Sequence, residues 1–180
     1  MRTLLRQTLM RWILPSVRCF SNMNIFVSSF DAKESAQALD DKRLIKMILE
    51  TTQIISTNIN LAGLRFGPYK TTHRNHPVTV WARRSHDNYL WLCAHLVHLC
   101  REYTKRFHKT HKCEQYINLL YNCSTDLAYP QEGLTTFPNC TTFKDIKETT
   151  RAYRLYLNQK WTNDKRKPKW TNSKAPEWAA

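Results

Sequence analysis

Apolar residues return at helical spacing through most of the chain, and the gaps between those stretches divide it into elements. From Asp31 to about Thr57, Leu44, Met47, Ile48, Thr51, Ile54 and Ile55 recur every three or four residues, which predicts one helix with one buried face. Asp31 followed by Glu34 resembles a capping box with Asp in the Ser/Thr place. The preceding apolar stretch, Asn24–Phe30 (NIFVSSF), reads as a strand or an extended arm. Residues 58–77 are irregular, broken by Gly63, Gly67, Pro68 and Pro77. Pro77 suits the first turn of a short helix reaching Arg84. Ser85 caps the clearest helix, about 86–108, whose stripe runs Tyr89, Leu92, Cys93, Leu96, Leu99, Cys100, Tyr103 and Phe107. Further helices are predicted near 111–122 and over about 144–161, the latter burying Ile146, Tyr153, Tyr156 and Leu157. Residues 124–142 read as a loop. The tail KRKPKWTNSKAPEWAA has no period and is predicted extended, with Trp170 and Trp178 docked or free. The expectation is a mainly α protein: a single-domain bundle of four to five helices, with an irregular basic loop and an extended C-terminal tail. Its divisions are 1–22 as a basic extension or targeting segment, 23–162 as the helical domain and 163–180 as the tail.

Composition narrows the function. Only three of 180 residues are glycine, and no glycine-rich phosphate loop occurs, which argues against a β-barrel or a dinucleotide-binding fold. Lys and Arg number 28 against 14 Asp and Glu, for a net charge of +14. Such a field attracts polyanions, and phosphate contacts supply most non-specific nucleic-acid affinity. The plainer readings are a basic protein kept soluble by its charge, or one touching anionic lipid. Six cysteines without a CxxC pair fit reduced, buried thiols in a reducing, intracellular setting. Residues 1–22 hold Arg2, Arg6, Arg11 and Arg18 and no acid; without them the net charge is still +10. This segment resembles a mitochondrial presequence, or else an extension upstream of a second start at Met23; its apolar run is too short and interrupted to span a membrane. The location is then mitochondrial if it is a presequence, and a host cytoplasm if the protein is viral.

Four groups of residues carry candidate chemistry. Lys42, Lys46 and Glu50 lie four residues apart on the first long helix, with Gln53 on the same stripe. The plain reading is a solvated face with i,i+4 pairs. The functional one is an amine beside a carboxylate, suited to glycosylase/lyase attack on C1′ of a flipped nucleotide. A second group runs Lys70, His73, Arg74, Asn75 and His76 into Pro77, then Trp81, Arg83 and Arg84. These can grip phosphate, or Asn75 or His76 can simply cap the next helix. Third, Asn88, Trp91, His95 and His98 share the other side of the 86–108 helix, as a base-stacking platform or as a face covered by the tail. Fourth come Arg101, Lys105, Arg106, His108, Lys109, His111 and Lys112, then Lys160, Lys165, Arg166, Lys167 and Lys169, with Trp161 and Trp170 interleaved. Neither histidine pair, His73/His76 nor His95/His98, has the further ligands a metal site needs, so no metal or cofactor is assigned.

The pieces MNIFVSSFD, DDKRLIKMILETTQII, YKTTHRNHPVTVWARRSHDNYLWL, CREYTKRFHKTHK and APEW, in that order, resemble a group of short phage-encoded proteins. Members of that group are placed near pyrimidine-dimer DNA glycosylases, small basic helical enzymes of the endonuclease V type. The resemblance implies an N-terminal α-amine as nucleophile and a helical glutamate. Glu50 is the counterpart of the glutamate, with Lys42, Arg43 and Lys46 as neighbouring cations. Arg43 stands where the family pattern has histidine. An α-amine at Met23 or Asn24 requires removal of the residues before it. The resulting expectation is a nucleic-acid-binding protein, DNA favoured over RNA, that processes DNA by base excision. Glu50, Lys46 and Lys42 would form the catalytic group. Arg43, Lys70, His73, Arg74, Asn75, His76, Trp81, Arg83, Arg84, Asn88, Trp91, Lys105 and Arg106 would hold nucleic acid. The alternatives are a non-catalytic DNA- or RNA-binding protein and a metal-dependent nuclease. No membrane span is expected, and the sequence leaves the oligomeric state open.

Overall fold

A computed structural model of the protein describes residues 24–180. The predicted basic extension, 1–22, lies outside the described residues. The described chain is helical: α1 (Ala32–Gln37), α2 (Asp41–Leu61), α3 (Pro77–Ala82), α4 (His86–Phe107), α5 (Ile117–Asn122) and α6 (Thr149–Asn163), with 3-10 turns at Lys112–Tyr116 and Cys123–Asp126. Among the described residues there is no strand, and no helix is long and apolar enough to cross a membrane. Asn24–Phe30 is an extended arm packed into the core, with Ile25 and Val27 fully buried.

α4 is the centre. Its expected stripe is inside, but so is its opposite side: Asn88 and His95 are fully buried and Trp91 nearly so. That second side is covered by the neighbouring α3 and by segments far away in sequence. Trp91 Nε1 donates to Phe30 O at 2.7 Å, and His95 Nδ1 lies 3.1 Å from Ala32 O. Asn88 Nδ2 donates to Trp81 O and to Thr135 Oγ1, both at 2.8 Å. Phe137 lies 4.8 Å from Trp91 and 4.7 Å from Trp81, centroid to centroid.

The helix predicted over 31–57 is two helices. Asp31 caps α1, its Oδ1 accepting from Glu34 N at 2.8 Å, while the Glu34 carboxylate takes the Ser29 hydroxyl. The chain then breaks at Ala38–Asp40. Helical periodicity alone would carry through, but the carbonyls at the end of α1 have long-range donors. Arg106 donates to Leu39 O at 2.8 Å and to Gln37 O at 3.0 Å, and Trp170 Nε1 donates to Ala38 O at 3.2 Å. Buried carbonyls without a partner would be costly, so these contacts are what make the break tolerable. Two smaller differences concern element boundaries. The 111–122 region begins as a 3-10 turn before α5, and α6 begins at Thr149 rather than 144.

The tail docks on the body. Trp178 stacks on Trp161 at 5.5 Å and Trp170 meets it edge-on at 5.1 Å. The Thr171 hydroxyl donates to Asp41 Oδ2 at 2.6 Å. Cys93, Cys100, Cys113 and Cys123 are buried and unbridged; burial pushes the thiols of Cys93 and Cys100 up to about 12.

Candidate active site on the second helix

Lys46 and Glu50 stand one turn apart on α2, with Lys46 Nζ 3.2 Å from Glu50 Oε1. The other oxygen, Oε2, accepts from the backbone N–H of Asn24 at 3.1 Å. An exposed i,i+4 pair alone contributes about 0.2–0.5 kcal/mol. Here the carboxylate is only 12% exposed and has a second partner from the arm, 26 residues away in sequence. The direction of that nitrogen is set locally. Asn24 Oδ1 accepts from the N–H groups of Ile25 and Phe26 at 2.8 and 3.1 Å, an Asx turn that folds the side chain inward. Phe26, at φ 46°, then turns the arm so that its ring stacks on Tyr156 at 6.1 Å.

Two turns beyond Glu50, the same side of α2 holds the basic loop. Thr57 Oγ1 both donates to Thr72 O and accepts from Thr72 N, each at 3.1 Å. Asn60 does the same for the loop's start, donating to Tyr69 O at 2.9 Å and accepting from Gly67 N at 3.1 Å. Gly67 passes so close that a Cβ there would meet Ser56 O at 2.5 Å. The loop therefore lies down on α2 and presents Lys70, His73, Arg74 and Asn75 outward, all exposed. His73 holds φ 46°, with Nδ1 2.7 Å from Thr72 Oγ1. His76 turns inward as the cap of α3, its Nδ1 accepting from Val78 N at 3.2 Å. Arg83 is half-buried and donates to Arg74 O at 2.9 Å, supporting the loop from below; Arg84 is exposed.

At the start of α2, the cations divide by environment. Lys42 is exposed beside Asp164, at 3.2 Å. Arg43 is buried, 2.8 Å from Asp40 and 3.0 Å from Asp164. Burial pushes the Asp164 carboxyl up, but the Lys42 hydrogen bond and the Arg43 charge outweigh it and hold it below the usual range. Past Asp164, Lys165, Arg166 and Lys167 are exposed, and the chain returns to α2 where Asp41 N donates to Lys169 O at 2.9 Å.

Six residues expected to meet nucleic acid lie buried inside the fold instead, among them His76 in its role as the cap of α3. Arg106 is 1% exposed, with Nε 2.9 Å from Glu102 and Nη1 3.0 Å from Asp41. Arg43 is locked between two aspartates. Trp81, Asn88 and Trp91 are buried, and the cover over Trp91 is the arm and the Phe137 loop rather than the C-terminal tail. Lys105 stays exposed, 3.7 Å from Glu102. Among the described residues no group of three His, Cys, Asp or Glu is placed to hold a metal ion. Burial lowers the His95 imidazole to about 4, and its Nδ1 faces Ala32 O. Sequence spacing had no means of finding two members of the site: Asn24, whose contribution is a backbone nitrogen, and Thr57, whose hydroxyl anchors the loop.

Fold and site together define a small helical protein with an amine–carboxylate pair on one helix, a backbone nitrogen closing on the carboxylate, and cations at both ends. The family described as pyrimidine dimer DNA glycosylase matches residues 23–115, just over half of the chain, and the chain belongs to that family. Its class is therefore DNA processing of the glycosylase type. The matched stretch contains Asn24, Lys46, Glu50 and the loop; α6 and the tail lie beyond it. No curated protein and no solved structure matches the chain at a significant level.

Proposed function

We propose that the protein is a DNA glycosylase/lyase whose nucleophile is the nitrogen of residue 24, active once that nitrogen is a free α-amine. The observation that carries this is the 3.1 Å contact between Asn24 N and Glu50 Oε2. In the sequence as written, Met23 makes that nitrogen an amide, which cannot attack. Cleavage after Met23 turns it into an amine already seated on a carboxylate. The amine forms a bond to C1′ of the nucleotide while the bond from C1′ to the base breaks, and the base leaves with the electron pair and takes a proton. Opening of the sugar gives a C1′=N imine as the ring oxygen takes a proton. Loss of a 2′ proton then expels the 3′ phosphate. Glu50 is placed to move these protons, and Lys46 holds the carboxylate from its other side. Lys42, Lys70, His73, Arg74, Asn75 and Arg84 contact the phosphate backbone and position it without reading sequence.

A second reading has Lys46 itself as the amine, favoured by its 3.2 Å approach to Glu50 and its independence of where the chain starts. Borohydride trapping on an abasic-site duplex separates the two. With chain beginning at Asn24, a reduced adduct mapping to residue 24 and surviving Lys46→Gln supports the first. An adduct on Lys46, formed equally by the full chain, supports the second. Salt-sensitive binding with no adduct and no base or strand product in either form removes the enzyme and leaves a DNA-binding protein.

A further inference from the structure

α2 exposes an apolar stripe beside its acid. Ile45 is 43% and Leu49 40% exposed, one turn apart. Both count among the exposed large apolar side chains of the described residues. Leu49 immediately precedes Glu50, and Ile45 immediately precedes Lys46, so each sits about 100° around the helix from its polar neighbour. The stripe is therefore parallel to the Lys46–Glu50 pair and shares its solvent side. It is also bracketed by charge. Lys42 with Lys165, Arg166 and Lys167 lies toward the helix start, and the loop anchored at Thr57 lies toward its end. Lys42 and Thr57 are about 22 Å apart along the axis, with Leu49 near the midpoint. A polyanion held at both ends must cross the apolar pair in the middle.

From this arrangement we infer that Leu49, backed by Ile45, is a wedge that enters the base stack of duplex DNA and holds the gap while a nucleotide is outside it. The inference rests on the proposed DNA-processing site, since it uses the same face and the same flanking cations. Aliphatic side chains do this work in DNA-bending proteins, where unstacking one step is compensated by wider contact with the bent duplex. A nucleotide must leave the stack before an amine on a protein surface can reach C1′, and an apolar tip one residue from the acid fills the vacated space at the point where that is needed. Leu49 touches neither the amine nor the leaving base; it is a positioning residue.

The test uses a duplex holding a tetrahydrofuran abasic analogue, which cannot be processed, with the fluorescent base 2-aminopurine beside it. Binding of the protein should raise the fluorescence as the neighbour unstacks. In the variant Leu49→Ala with Ile45→Ala, binding and its salt dependence should persist, because every cation remains, while the rise is lost; Leu49→Met should restore it. On a natural abasic duplex the double variant should be about tenfold slower, and on the single strand, which needs no unstacking, it should match the unaltered protein. A rise that persists in the double variant overturns the wedge, and so does a protein that binds and traps normally without any rise. In those cases the glycosylase reading stands. A protein that fails to bind the duplex removes both. If the double variant instead loses a concentration-dependent dimer with the rise intact, the stripe belongs to a second copy and the wedge is wrong.

Discussion

The two ends of α2 use the same residue types for opposite purposes. At its start lie two adjoining clusters, Arg43 with Asp40 and Asp164, and Arg106 with Glu102, Asp41 and Leu39 O, in which both guanidiniums find carboxylates or carbonyls inside the fold. From its middle onward, the Glu50 carboxylate meets Asn24 N and Lys46 among the described residues, and Lys70, Arg74 and Arg84 face outward. The contrast teaches that cation count says little about function until one knows which charges already have partners. A buried guanidinium whose hydrogen bonds are taken cannot reach a phosphate. An exposed one whose backbone is held by a neighbouring helix is ready to.

Breaking the closed end should have the largest effect. Arg106→Ala leaves Glu102, only 3% exposed, without its main partner and frees the carbonyls of Gln37 and Leu39. Loss of one member of such a cluster is expected to destabilise by about 3–5 kcal/mol, read from denaturant unfolding. Any phosphate-contact role would instead appear as a salt-dependent binding loss in a protein of unchanged stability.

At the open end, Glu50→Gln should leave fold and affinity intact while processing of an abasic duplex drops by about a hundredfold or more, as expected for removal of a general acid–base. Unchanged turnover in that variant would take the chemistry away from α2. Gly67→Ala tests what holds the loop down. Its Cβ would collide with a backbone oxygen of α2, so a loss of about 1–3 kcal/mol is expected, together with weaker duplex binding. Gly63 and Gly133, which have open space around the added Cβ, separate this steric effect from strain at positive φ. The smallest effect on stability belongs to Lys70→Ala and Arg74→Ala. Each should move unfolding by less than about 0.5 kcal/mol, yet each should lower the slope of log affinity against log salt by about one. An unaltered slope would mean the loop does not touch DNA.

Much of this architecture was legible along the chain, because burial of one face imposes a period that a helix cannot hide. The cores of α2 and α4, the Ser85 cap, the Pro77 start and the Lys46–Glu50 spacing all follow from interactions within a few residues. The break at Ala38–Asp40, the burial of Trp91 and the loss of Arg43 and Arg106 from the candidate surface do not, since each depends on a partner from the arm, α4, the tail or the chain following α6. The same holds for the site. Spacing alone pairs Lys46 with Glu50, whereas the approach of Asn24 N is a contact across 26 residues between a backbone atom and a side chain. Residue type carries no trace of that. Local sequence therefore decided which helices form and which groups could do chemistry; only the packed chain decided which charges were neutralised inside it and which nitrogen came to rest on the carboxylate, because electrostatic and hydrogen-bond partnership depends on distance in space.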